Sequence, residues 1–345
     1  MATPSNNLVG LTLSTGWIVK DVISKHPTAT GGYFSTGYIV QKNKQTAFLK
    51  ALDFSEAFQH PDVPRRLQEL TEAYNFERDI LKKCQGKRLD KVVTALEDGS
   101  IDVPGFPNPI CRVYYLIFDL ASGDIRKIKD LFGRIDLAFI FRSLHNAAVG
   151  LKQLHTNEIA HQDIKPSNIL VFKDESKISD MGRASDKTIS FRYDEYIIPG
   201  DRNYAPIEQR YNYHFSHDFS ERYAADLYLF GSLFYFHFLG ISAAQSLIDK
   251  CRRMNVVITD SFENDLPALI HAFNTSLQDL TQAVSIVTNA KDREEIVSMI
   301  KSLCYPDPRK RGYPKNVETG VSQYSLERYI SRLDYFAKKA EYKML

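Results

Sequence analysis

The segment His161-Gln162-Asp163-Ile164-Lys165-Pro166-Ser167-Asn168-Ile169-Leu170, followed by Ser179-Asp180-Met181-Gly182, constrains the fold of this chain more than any other stretch. Two polar loops flank two short segments, 169–172 and 177–179, that read as the arms of a hairpin. The fold therefore has to bring the two loops together. Between them they carry a carboxylate that can orient a hydroxyl (Asp163) and an ammonium that can meet phosphate charge (Lys165). An amide (Asn168) and a second carboxylate (Asp180) can bind a hard cation. That is the inventory needed for phosphoryl transfer.

The N-terminal part reads as sheet. Residues 17–23, 38–40 and 46–52 alternate or run apolar between Gly-containing turns, and predict three antiparallel strands. In the third, Ala47, Leu49 and Ala51 point one way and Phe48, Lys50 and Leu52 the other. A helix is predicted over 64–83, with Pro64 in its first turn, where a missing N–H costs nothing. Leu67, Leu70, Tyr74, Leu81 and Cys84 line one stripe of that helix, and Glu77 interrupts it. An acid pointing inward needs a buried cation, and Lys50 is the candidate. Two further strands are predicted at 91–96 and 113–118.

From residue 121 onward helical periodicity dominates, at 137–154, 223–239 and 266–280. The apolar stretch 228–244 contains Gly231, His237 and Gly240, is short for a bilayer span and reads as a buried core helix. The 44 basic and 42 acidic residues give a net charge of +2 and are interspersed, so no nucleic-acid or membrane partner is expected. Oligomeric state has no signature in the sequence. Four scattered cysteines, Cys84, Cys111, Cys251 and Cys304, form no metal or redox pair, and the start of the chain lacks a signal-peptide pattern. A cytoplasmic protein is expected.

In order and spacing, these motifs resemble the eukaryotic-type serine/threonine protein kinase family over about residues 17–335. The resemblance implies an α+β, bilobal fold: a small antiparallel sheet lobe with one long helix, and a larger, mainly helical lobe. The corresponding boundaries are a tail at 1–14, an N-lobe at 15–120, a C-lobe at 121–338 and a tail at 339–345. It implies ATP and Mg²⁺ as cofactors and a protein substrate with a Ser or Thr acceptor. Asp163 and Lys165 would be catalytic, and Asn168 and Asp180 would bind metal. Lys50, held by Glu77, would meet the nucleotide phosphates. Gly32 and Gly37 would be the outer glycines of the phosphate-covering loop, and Asp119 to Ala121 would offer backbone bonds to adenine. Glu208 and Arg311 would pair, and Asp226 would anchor the backbone of the catalytic loop. Lys165 before Pro166 follows the pattern of Ser/Thr-directed members.

The chain departs from the family at several points. Phe34 replaces the middle glycine, Phe48 replaces the small residue beneath adenine, and Met181 replaces a phenylalanine. Gln162 replaces the arginine that reads an activation-loop phosphate, which implies activity independent of that modification. Asp124 and Asp194-Glu195 are candidate acidic determinants for basic peptides. The alternatives are a pseudokinase acting as an ATP-binding interaction module, and a small-molecule kinase. Lys165-Pro166, Glu208 and Arg311 favour a protein substrate over the latter.

Overall fold

Residue alternation organises the first part of the chain. The structure, a computed structural model, describes residues 3–23, 35–127, 136–173, 175–216 and 218–345. The unit Met1–Ser122 contains strands β1 (Ile18–Ile23), β2 (Ser35–Lys42) and β3 (Gln45–Leu52), helix α1 (Val63–Gly86), and strands β4 (Ala95–Asp102) and β5 (Arg112–Asp119). The five strands form one antiparallel sheet in the order β1-β2-β3-β5-β4. β3 turns Ala47, Leu49 and Ala51 into a core with Tyr38, Val40, Val113, Tyr115 and Ile117, as a period of two requires. Leu8, Leu13 and Trp17 complete this core, and the Tyr38 hydroxyl donates to Ser5 O at 2.6 Å. Much of the segment read as a tail is thus part of the unit, since burying a leucine contributes roughly 1.5–3 kcal/mol.

On the other face of β3 lies α1. Its N-cap is Asp62, whose side chain accepts from Arg65 N, and Leu70, Tyr74, Glu77, Leu81 and Cys84 are buried along it. β4 lies further along the chain than the predicted 91–96. Asp98-Gly99-Ser100 has the composition of a turn, yet it continues the strand. The reason is tertiary: a Cβ at Gly99 would stand 2.6 Å from the Tyr115 hydroxyl that packs there.

The unit Gly123–Leu345 is mainly helical. β6 (Gly123–Asp124) precedes α2 (Leu137–Thr156), which is capped by Asp136 accepting from Phe139 N. β7 (Ile159–Ala160), β8 (Ile169–Phe172), β9 (Glu175–Ile178) and β10 (Ser185–Asp186) follow. β8 and β9 form the expected hairpin, with β6 on the other side of β8, and β10 pairs with β7. Next come α3 (Ile207–Arg210), α4 (Ser220–Leu239), α5 (Ala243–Arg253), α6 (Phe262–Ala283), α7 (Ala290–Leu303), α8 (Pro314–Thr319) and α9 (Glu327–Glu341). α2 packs on α9 through Phe141 and Phe336, with ring centroids 5.4 Å apart.

α4 is the buried centre of this unit. A Cβ at Gly231 would overlap Cys304 Sγ, so glycine is what allows α4 to close against the end of α7. Among the described residues no single helix is long and apolar enough to cross a membrane; α4 and α5 reach that composition only together, across a bend of 73°. Small antiparallel sheet plus long helix, followed by a larger helical unit, is the α+β architecture the motifs implied.

Candidate active site

In the first unit, Lys50 Nζ lies 2.7 and 3.0 Å from the two oxygens of Glu77. Period two on β3 and the stripe of α1 bring this pair together, and a lysine partner makes the buried glutamate tolerable. Gly37 pairs with Lys50 across β2 and β3, and Phe48 with Phe118 across β3 and β5. The Phe48 ring lies over Gly37, where a Cβ would stand 2.8 Å from it, and 6.3 Å from the Phe118 ring. Asp119 ends β5 and is exposed, with Ala121 just beyond it. Gly32 and Phe34 lie outside the described residues.

In the second unit the catalytic loop hangs from one buried carboxylate. Asp226 on α4 accepts from the amides of His161 at 2.8 Å and Gln162 at 2.7 Å. His155 Nε2 lies 2.9 Å from the same carboxylate. These bonds hold Gln162 at φ 65, a left-handed backbone that a non-glycine residue keeps only when its surroundings impose it. The His161 ring accepts from Asp163 N through Nδ1 (3.2 Å), so its Nε2 carries the proton and donates to Ser179 O (3.0 Å). One side chain thereby ties the catalytic loop to the strand end that leads to Asp180. Asp180 is exposed, also left-handed at φ 64, and followed by the fully buried Met181.

Asp163 is 5% exposed and Lys165 6%. Lys165 Nζ lies 3.0 Å from Asp163 Oδ2, and Asn168 Nδ2 donates to the same oxygen at 3.1 Å and to Asp163 O at 2.8 Å. Asp163 Oδ1 accepts from the amide of Asp201 at 2.8 Å. Burial pushes the Asp163 carboxyl above its ordinary range; the Lys165 ammonium opposes this and the Asp180 charge reinforces it. Burial alone would lower Lys165, but the attraction of Asp163, with Asp201 and Asp180, outweighs it and raises the pKa.

Three carboxylates, Asp163, Asp180 and Asp201, thus act on one ammonium. Such a concentration of carboxylate oxygens is the kind of environment a hard divalent cation favours. Asn168 commits its amide nitrogen to Asp163, which leaves the amide oxygen, touched by the Ser167 hydroxyl at 3.2 Å, as its face toward a cation. Among the described residues no three His, Cys, Asp or Glu side chains form a metal cluster. Magnesium needs fewer protein oxygens when phosphates and water complete its shell, so Asn168 and Asp180 fit it.

The structure also brings Glu208 and Arg311 together, at 2.7 and 3.0 Å. Sequence reasoning singled out neither Gly200 nor Asp201. Asp201 donates its amide to Asp163 and sets its carboxylate 3.5 Å from Lys165. Gly200 makes this possible, because a Cβ there would overlap the Gln162 carbonyl oxygen and stand 2.8 Å from Asp163 Oδ1. No local pattern marks either residue. Of the candidate acidic determinants two are already engaged: Asp124 is bound by Arg126 at 2.8 Å, and Asp194 accepts from Phe191 N at 2.8 Å with Arg222 3.5 Å away, while Glu195 is exposed.

The description "Protein kinase domain" matches residues 32–318, and the chain belongs to the protein kinase family. Serine/threonine-protein kinase par-4 of Caenorhabditis elegans is 25% identical over 178 residues, 50% of this chain and 27% of that protein. Serine/threonine-protein kinase greatwall of Danio rerio is 23% identical over 165 residues, 48% of this chain and 17% of that protein. Cell division control protein 2 homolog 3 of Trypanosoma brucei brucei is 29% identical over 151 residues, 36% of this chain and 48% of that protein. The chain therefore spans less than half the length of each of these relatives.

Proposed function

We propose that this chain is a serine/threonine protein kinase that transfers the γ-phosphoryl group of ATP to protein hydroxyls, uses Mg²⁺, and needs no phosphate on its activation segment. The buried set Asp163, Lys165 and Asn168, with Asp180 close enough to shift the first two, carries this reading. Asp163 accepts the proton of the acceptor hydroxyl, and its raised pKa makes it a stronger base than an ordinary aspartate. Lys165 stays protonated beside it and meets the charge of the transferring group. Lys50, oriented by Glu77, meets phosphate oxygens. Asn168 and Asp180 would hold Mg²⁺, which when bound neutralises phosphate charge.

Independence from loop phosphorylation is supported by how the segment is tied down. Gln162, uncharged, donates its amide to Arg222 O at 2.9 Å. Arg222 donates to the Ser185 hydroxyl at 3.0 Å and to Asp194 O at 3.1 Å, contacts that require no added phosphate. Labelled transfer from ATP to generic proteins, wild type against Asp163→Ala, tests the enzyme reading; equal labelling would sink it. Phosphatase treatment should leave the activity intact. Loss of activity, regained with Ser185→Glu, Thr188→Glu or Ser190→Glu, would refute independence.

One observation favours the pseudokinase reading: Phe48 fills the space between Gly37 and Phe118. If that ring blocks nucleotide, Phe48→Ala will bind ATP when wild type does not. Equal binding by the two proteins shows that the ring does not block nucleotide, and the reading then stands only if ATP binds without transfer to any substrate.

A further inference from the structure

Resting on the kinase reading, a charge imbalance on the segment after Gly200 points to the substrate. The carboxylates of this segment are committed. Asp201 lies beside Lys165 and accepts from Asn203 N at 2.9 Å, and Glu208 is paired with Arg311. Two guanidinium groups of the same segment are not matched: among the described residues, neither Arg202 nor Arg210 has a carboxylate within ion-pair distance. Arg202 is exposed. Arg210 is half-buried; one of its terminal nitrogens donates to Arg202 O at 2.5 Å, and its Nε is buried with no partner. The two positive charges are close enough that Arg202, after burial, contributes to lowering the Arg210 pKa.

Placement supplies the function. Arg202 directly follows the residue whose amide binds Asp163 Oδ1, about 3.8 Å along the chain. An extended peptide advances by about 3.4 Å per residue, so a hydroxyl at Asp163 brings its nearest neighbours toward the backbone of Arg202, to which Arg210 is tied through its bond to Arg202 O. We propose that Arg202 and Arg210 form a subsite for an anionic side chain, a carboxylate or a phosphoryl group, within about two residues of the acceptor in an extended substrate. The chain would then select acidic or already phosphorylated sequences, the reverse of the basic preference expected from Asp124 and Asp194-Glu195; of these, Arg126, Arg222 and a backbone amide already contact the carboxylates of Asp124 and Asp194.

The test uses the full chain and fluorescent peptides with one serine acceptor, varied among Ala, Asp, phosphoserine and Lys at the two positions on either side. Binding is read by anisotropy and transfer by labelled ATP. Wild type is expected to bind Asp or phosphoserine peptides about tenfold tighter than Ala peptides, as charge-assisted hydrogen bonds warrant, and Lys peptides more weakly. Arg202 is exposed, so Arg202→Glu will fold, and it should reverse the order in favour of Lys; Arg210→Ala should bring the Asp-to-Ala ratio toward one. Phosphoserine well above Asp identifies a phosphorylated substrate as the source, and equal effects identify an acidic one. Equal wild-type binding of Ala, Asp and Lys peptides, or an unchanged order in Arg202→Glu, overturns the subsite. Transfer without acid preference overturns the subsite and leaves the kinase reading standing. Acid-selective binding without transfer does the opposite.

Discussion

Arg311 and Lys165 are both cations buried beside a carboxylate, but they differ in how many carboxylates act on them. Arg311 is fully buried and meets Glu208 through two nitrogens, while its remaining donors go to Ala224 O at 2.9 Å and Tyr305 O at 3.0 and 3.1 Å. One charge meets one charge, and the fork of donors is filled. Lys165 stands instead among three carboxylates, and burial together with Asp180 leaves Asp163 with a raised pKa. The first cluster is closed and serves the fold. The second gathers several carboxylates around one ammonium, and there the protonated form of Asp163 is favoured. Stability and chemistry are thus assigned to different charge pairs within one unit.

The comparison breaks most visibly at Asp163. Asp163→Asn should lower the transfer rate by about 10²–10⁴-fold, the usual contribution of a positioned base, with the fold retained. Its pH signature has a definite sign. The folded carboxyl holds its proton more tightly than an unfolded aspartate, so between the unfolded and the raised folded pKa wild type loses stability as pH rises. The asparagine variant has no such slope. Urea unfolding across that window should move the difference in the variant's favour with increasing pH, and an opposite trend would mean that Asp163 is stabilised as a carboxylate.

Arg311 should show the converse. Arg311→Ala leaves Glu208 buried and unpaired, and should cost about 3–5 kcal/mol in urea unfolding. Replacing both partners with methionine should recover most of that loss, because two apolar side chains leave no uncompensated charge. If Arg311→Ala instead keeps its stability and loses only transfer, the two clusters are not divided as argued.

What the sequence revealed follows the same division by distance. Asp163, Lys165, Asn168 and Asp180 were legible because a short hairpin fixes their relations locally. Glu77 was legible because it broke an apolar stripe that α1 does bury. Asp226 and the Glu208–Arg311 pair came from the family resemblance. Asp201 was not legible: it reaches Asp163 across 38 residues through a backbone amide, and side-chain type does not encode that contact. The unmatched charges of Arg202 and Arg210 were invisible for a related reason, since whether an arginine has a partner depends on where every nearby carboxylate has gone. The start of the chain misled because Leu8, Leu11 and Leu13 follow neither the period of a helix nor that of a single strand, and only the sheet they cover explains them.

Gly200 is the finest test of how the second cluster is held. Its backbone does not require glycine, so alanine costs nothing locally; the cost arises entirely from what the new methyl would meet, the Gln162 carbonyl oxygen and Asp163 Oδ1. Relief of that overlap has to move Asp201 away from Asp163, weakening the 2.8 Å bond from its amide. Gly200→Ala should therefore destabilise by roughly 1–3 kcal/mol, the usual penalty of overpacking. A misplacement of about 1 Å at a reacting group can cost up to roughly 10²-fold in rate, so transfer should fall more than stability does. Because Arg202 moves with Asp201, discrimination between acidic and neutral peptides should weaken in the same variant. Normal transfer by a folded Gly200→Ala protein would show that the segment after Gly200 does not position the base, and that Asp226 alone holds the catalytic loop in place.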